Sequence, residues 1–397
     1  MKFTLIVKNR ASLLIHVLTF MVLASRLIHA STGSCGDSSV SLPFTDVQSS
    51  NIFFCSIAQA YFSGLTNGTS PTAYNPSDPV PREQMAAFIT RTQDSALIRG
   101  SRRAALQQWW TPTEAAALRS VSVFGAFDIV CDGPDLWVSG FAASGTVKRI
   151  RASDGQLLQT WTGANLLGLI AAAGRIFVVA QTSPGKIYVI NPEAPPGPVT
   201  VFENDIGANP VQITYDGANL WTANFSGSIS RVNVATVIDS TFSAGFSLPN
   251  DILWDGSNLW VADAGDNKLK RIDQSTGGVV ESITVGTEPR NLLFDGTNIW
   301  VSNASSDSIS IVRAVGALRG TVLTTLTGNG LGFPLGMAFD GERVFVCNNL
   351  MTVSLFKAAD LSPLGTLSTQ SIVGGPAAAC SDGVSFWFTD GNSVVRF

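Results

Sequence analysis

The chain has 397 residues, of which 45% are hydrophobic and 14% charged, with 37 Gly, 18 Pro and nine Trp. It is too apolar for a disordered chain and too rich in glycine for a helical bundle. The formal charge of −4 argues against a nucleic-acid partner. Only two histidines are present, His16 and His29.

The N-terminus carries Lys2, Lys8 and Arg10, then an apolar run over 11–24, then small residues at Ala24 and Ala30-Ser31. This basic, apolar, small order is that of a secretory signal peptide. The run of about fourteen residues is short of the roughly 18–20 that a membrane span needs. Removal of residues 1–30 would leave 21 basic and 29 acidic residues, a charge of −8, and no histidine. We therefore expect a secreted or cell-envelope protein with no transmembrane segment after cleavage. Such a chain is free to form disulfides. Its five cysteines, Cys35, Cys55, Cys131, Cys347 and Cys380, are odd in number, so one is left free or pairs between molecules. No CxxC pair and no Cys/His cluster occurs, so neither a metal nor a cofactor is expected.

Residues 31–98 read as a small helical module. A first helix is predicted over 52–63, with Phe53, Ile57, Ala60 and Tyr61 near helical spacing, and Gly64 ends it. A turn-rich link follows over 65–78. A second helix opens at Pro81, a well-tolerated first-turn position, and runs to Arg91 with Met85, Phe88 and Ile89 as its apolar stripe. The carrying residues Phe44-Thr-Asp-Val47, Ile57, Gly64, Asn67-Gly68, Tyr74-Asn-Pro76 and Val80-Pro-Arg-Glu-Gln-Met-Ala86 make this segment resemble an S-layer homology (SLH) module. It departs from that pattern at Pro81 and Ile52, and there is one copy where the family has three. The resemblance implies cell-wall polysaccharide binding, with Arg82 and Glu83 at the recognition motif. A guanidinium fork suits acidic sugar groups. The plainer reading of the same two residues is a solvated helix start. Residues 99–118, with Arg99, Arg102, Arg103 and Trp109-Trp110, read as a linker.

From residue 119 onward one unit repeats. Its core is Asp-Gly-x-x-apolar-Trp-Val: Asp132-Gly-Pro-Asp-Leu-Trp-Val138, Asp216-Gly-Ala-Asn-Leu-Trp-Thr222, Asp255-Gly-Ser-Asn-Leu-Trp-Val261, Asp295-Gly-Thr-Asn-Ile-Trp-Val301, Asp340-Gly-Glu-Arg-Val-Phe-Val346 and Asp382-Gly-Val-Ser-Phe-Trp-Phe388. A degenerate copy, Ala173-Gly-Arg-Ile-Phe-Val178, fills the gap, and successive starts are 39 to 45 residues apart. A period near 40 with four short strands per unit predicts a β-propeller, here of seven blades. In the fourth unit the strands fall at 250–254, 259–262, 268–272 and 279–285. The last unit lacks its outer strand. The spare segment Arg119-Ser-Val-Ser-Val-Phe124 can complete it and close the ring, leaving no exposed edge at the closure. These repeats resemble the NHL/YVTN propellers and the virginiamycin B lyase-like group. The fold class is thus mainly β: a seven-bladed propeller over 119–397 preceded by a small α-helical SLH-like module.

The repeat tryptophans occupy one structural position and read as packing between blades. The Asp-Gly pairs read as turn chemistry. Variable polar positions at the start of each first strand are better site candidates: Asp128, Gln212, Asp251, Arg290 and Asn291 are named as ligand-binding. The turns between second and third strands, with Asn224, Asp263, Asp266, Asn303, Asn348 and Asp390, are expected on the same face. Together they would form an acidic and amide-rich pocket, or the solvated wall of a water-filled channel. Cys131 and Cys380 fall in neighbouring blades of the closed ring, where they are either a disulfide or buried thiols.

The lyase resemblance implies a histidine base, and the mature chain has none. Ser-His-Asp, Cys-His and His-rich metal chemistry are excluded with it. No catalytic residue is named. The reading is an exported, envelope-associated protein whose propeller presents a protein- or glycan-binding face. The alternative is a carboxylate-dependent lyase or hydrolase using Asp128 and Asp251.

Overall fold

A computed structural model describes residues 31–35, 38–62, 66, 68–82, 84–86, 88, 119–152, 154–369, 375–383 and 385–397. The chain divides into two compact units, Met1–Asp94 and Ser95–Phe397. The proposed signal segment, Glu83 and the 99–118 linker lie outside the described residues.

The smaller unit opens with an antiparallel hairpin, Ser31–Cys35 with Ser38–Leu42, which the sequence reading missed. One helix, Phe54–Phe62, follows, and residues 82, 84–86 and 88 are also helical. Leu42, Phe44, Val47, Phe54, Ile57 and Ala58 form its core. Two apolar assignments are corrected: Phe53 and Met85 are exposed, so each helix buries a narrower face than its spacing implied. The Asp46 carboxylate accepts the backbone N–H groups of Tyr74 and Asn75. Those hydrogen bonds outweigh burial and hold its pKa below the usual carboxylate value. Asp46 thus fastens the Phe44–Val47 segment to the Tyr74–Pro76 turn.

The larger unit contains seven four-stranded antiparallel sheets. The fourth illustrates the pattern, with strands Pro249–Trp254, Leu259–Asp263, Lys268–Ile272 and Val279–Thr284. The seventh sheet combines Ala379–Ser381, Phe386–Thr389 and Ser393–Arg396 with Arg119–Ser122, which pairs Arg119 opposite Arg396 and Ser122 opposite Ser393. Closure by the first strand of the unit, as the sequence implied, is therefore present. Cys131 and Cys380 are disulfide-bonded across blades one and seven, with Cα atoms 5.8 Å apart. Cys55 is also disulfide-bonded, and Cys347 is a free, buried thiol.

The repeat chemistry explains the blade. In blade three the Asp216 carboxylate accepts the Ala218 and Asn219 N–H groups across the Asp-Gly turn, and Gly217 takes φ 100°, which a side chain would resist. The second carboxylate oxygen accepts the indole N–H of Trp221 at 2.7 Å. The same bond joins Asp255 to Trp260, Asp295 to Trp300 and Asp382 to Trp387. The repeated aspartate is therefore more than a turn residue. It satisfies the polar atom of a tryptophan that is otherwise buried between blades.

Candidate functional site

Six of the seven first strands carry a register shift within their first few residues, for example between Pro249 and Asp251 and between Pro289 and Asn291. A bulge re-aims the side chains beside it. It is placed where the strands begin, at one mouth of the central channel. Around that mouth Phe127, Asp128, Val211, Gln212, Asn250, Arg290, Asn291, Leu335, Gly336, Met337 and Ala377 to Ala379 line a cavity of about 220 Å³.

Four of the five propeller residues singled out in the sequence, Asp128, Gln212, Arg290 and Asn291, line this one cavity. The fifth, Asp251, sits behind Asn291 and is only 6% exposed. The sequence did not show whether Asp128 and Asp251 approach each other. In the structure the Asp128 charge acts on Asp251.

These groups link the blades. Asp128 of blade one accepts its neighbour Ile129 N–H, Leu169 N–H of blade two at 3.0 Å and Gln212 Nε2 of blade three at 3.2 Å. Asp251 of blade four accepts Ile252 N–H, and it accepts Leu292 N–H at 2.7 Å and Asn291 Nδ2 at 2.8 Å from blade five. Asn291 Oδ1 in turn accepts Met337 N–H of blade six. Gly336 N–H donates to Ala377 O of blade seven, and the Thr389 hydroxyl donates to Phe127 O of blade one. A Cβ at Gly336 would lie 2.6 Å from Ala377 O, and one at Gly168 would meet Gln212 and the Val211 carbonyl. Gly168 and Gly336 are therefore held small because the next blade touches them there.

Burial pushes the Asp128 carboxyl up to about 6 and the Asp251 carboxyl up to about 7. The hydrogen bonds to each carboxylate oppose that rise. The Asp128 charge adds to it at Asp251.

Two donors in the cavity wall stand apart from this network. Asn250 Nδ2 and Arg290 Nε are buried and have no hydrogen-bond partner among the described residues. The Arg290 fork instead reaches Glu288, which is also bound by Ser305. Asn250 belongs to the variable polar pair Asn250-Asp251 at the start of its first strand, but it is not among the residues named as ligand-binding. Its signal was present, since it immediately follows the blade-entry Pro249 and stands one residue before Asp251.

The second group of candidates does not join the pocket. Asn224, Asp263, Asn303 and Asn348 are fully buried and bonded elsewhere. Asn224, Asn303 and Asn348 donate to serines of their own blades. Asp263 accepts Ser247 and Leu248 N–H and pairs with the buried Lys270, which also binds Asp266. Asp390 holds its own turn. The expected acidic and amide ring is a set of intrablade fasteners. In the smaller unit Arg82 is exposed. Among the described residues no cluster of three His, Cys, Asp or Glu side chains is placed to hold a metal.

Fold and site together define a seven-bladed β-propeller with a small channel mouth of mixed polar and apolar lining. The β-propeller domain of Myceliophteria thermophila Cps50 (Swd1) is similar, with a TM-score of 0.56 and 12% identity over 70% of this chain and 98% of that one. The WD40 propeller domain of Doa1 is similar with a TM-score of 0.60 and 14% identity over 72% of this chain and 97% of that one. At such identities the likeness is one of fold. No family model and no curated relative matches the sequence.

Proposed function

We propose that the protein is an exported, cell-envelope-associated binding protein whose propeller takes a polar ligand, a glycan or a protein side chain, at the channel mouth. The observation that carries this reading is the pair of unpartnered donors, Asn250 Nδ2 and Arg290 Nε, in the wall of one cavity. A buried donor without an acceptor costs free energy, and a ligand oxygen placed there recovers it. Asp128, Gln212 and Asn291 hold the surrounding wall rigid by their interblade bonds, which lowers the cost of ordering the site on binding. The signal-like N-terminus and the SLH-like segment support the envelope location, with Arg82 and Glu83 as the glycan contact of the smaller unit.

One observation favours the enzyme reading instead: two electrostatically coupled carboxylates with raised pKa values, a pattern common at active sites. Against it, both oxygens of each carboxylate are occupied by backbone N–H groups, and Asp251 does not reach the cavity. A glycan array probed with the full chain tests the binding reading. Saturable binding that weakens in Arg290→Ala is expected; no binding on the array or to isolated cell envelopes would sink its glycan form.

A further inference from the structure

The end of the ring opposite the channel mouth carries the Asp-Gly turns and the turns between third and fourth strands. At two blade junctions an arginine seals this end. Arg149 lies opposite Trp137 in blade one, stacks 5.3 Å from its ring and donates to Pro192 O in blade two. Arg231 lies opposite Trp221 in blade three, stacks at 5.6 Å and donates to Gln274 O in blade four. In blade five the residue opposite Trp300 is Ile311. An isoleucine cannot reach the next blade's turn. The residues of blade six that correspond to Gln274 and Ser275 are Ala358 and Ala359, and among the described residues no arginine bonds to them.

The junction of blades five and six lacks such an arginine. A groove of about 660 Å³ lies there, lined among others by Asn298 and Arg313 of blade five and by Phe339, Glu342, Ala359 and Leu361 of blade six. Two of its polar groups are unspent. Asn298 is 9% exposed, yet its Oδ1 has no partner among the described residues. In blade three the corresponding Asn219 Oδ1 accepts Asn233 Nδ2, and the position of Asn233 is Arg313 here. Arg313 makes no ion pair among the described residues. The groove thus offers an open donor fork, an open buried acceptor and apolar side chains at Leu323, Phe339 and Leu361.

An anion would answer Arg313 only. It would leave Asn298 Oδ1 without a donor and would face Asp295, Glu342 and Asp360, which outnumber the cations Arg313 and Lys357. A purely apolar ligand would bury the polar wall unsatisfied. Hydroxyl groups both donate and accept, and a pyranose ring also presents a C–H face. We propose that this groove is a second binding site, separate from the channel mouth, and that it takes a neutral saccharide. Ring hydroxyls accept from Arg313 and donate to Asn298 Oδ1, with the sugar's apolar face against Phe339 and Leu361. The volume is within the roughly 300–1,000 Å³ of small-molecule sites. This inference stands without the channel-mouth reading.

The test is NMR titration of the full chain with maltose, N,N′-diacetylchitobiose and lactose, beside glucuronate and an acidic peptide. The expected result is saturable binding of at least one neutral sugar at about millimolar affinity. Shifts should concentrate at residues 295–298, 313, 339–342 and 357–361. Arg313→Gln and Ala359→Trp, the latter at an exposed position, should each weaken it at least about tenfold, the loss expected for a charged hydrogen bond or a filled site, with unchanged thermal unfolding. No saturable sugar binding would overturn the proposal. So would preference for glucuronate or the peptide, shifts confined to the channel mouth, or binding indifferent to both variants.

Discussion

Asp251 accepts three hydrogen bonds and is still pushed up to about 7, because burial outweighs them and the Asp128 charge adds to it. The consequence for stability has a definite sign. Between the ordinary carboxylate value and the raised folded values of about 6 and about 7, the folded state holds more protons than the unfolded state. Stability from these groups therefore falls as pH rises through that window, by about a few kcal/mol for each group at shifts of this order. Denaturant midpoints at pH 5 and pH 8 should show the decline. Asp251→Asn should remove most of it while costing about 1–3 kcal/mol at pH 5, since its amide NH₂ cannot accept where the carboxylate did. A wild-type slope that survives in Asp251→Asn would contradict this. The individual residues were legible in the sequence as polar breaks in a fixed repeat. Their role as interblade ties was not, because it depends on the bulge and on neighbours about 40 residues away.

At the scale of the blade, the sixth repeat shows how the aspartate and tryptophan depend on each other. Phe345 stands at the tryptophan position and has no N–H to give Asp340. Arg343, where blades three, four and five carry Asn, supplies the donor, with Nε and Nη2 each 2.8 Å from Asp340 Oδ2 and both residues 2% exposed. Arg343→Asn should cost about 3–5 kcal/mol by leaving a buried carboxylate short of a partner. Arg343→Asn with Phe345→Trp should recover most of that loss. A double-mutant cycle by chemical denaturation reads the coupling, and additive losses would disprove it. Blade one shows the converse, for Trp137 Nε1 has no partner among the described residues and Arg149 instead pairs with Asp135. The repeat itself, its strands and its turns were readable because the Asp-Gly and Trp positions recur. The pairing of Ser31–Cys35 with Ser38–Leu42 was not, since the first strand, Ser-Thr-Gly-Ser-Cys, carries no hydrophobic alternation and the second alternates only at Val40 and Leu42.

At the scale of the ring, the ends are joined by the Arg119–Ser122 strand, by Thr389 to Phe127 and by the Cys131–Cys380 disulfide. The strand exchange was legible from the missing outer strand of the last repeat. The cysteine pairing was not, because Cys131 stands opposite Leu136 and Cys380 opposite Trp387, one repeat position apart, and only the packing of blade one on blade seven brings their sulfurs together. The bridge spans a sequence separation of 249. In the chain-entropy account it stabilises by on the order of 5 kcal/mol. Cys380→Ser should lower the thermal midpoint under oxidising conditions, and reductant should bring the wild type down toward it. Equal midpoints for the two proteins without reductant would show that the strand alone closes the ring.

Binding at the channel mouth through its unpartnered donors is put to the test by the binding isotherm of the full chain on isolated cell envelopes, wild type against Asn250→Ala/Arg290→Ala. Saturable binding that falls at least about tenfold in the double variant is expected, as the loss of two hydrogen bonds implies. Equal binding by both proteins, or consumption of an envelope glycan that stops in Asp251→Asn, would contradict it.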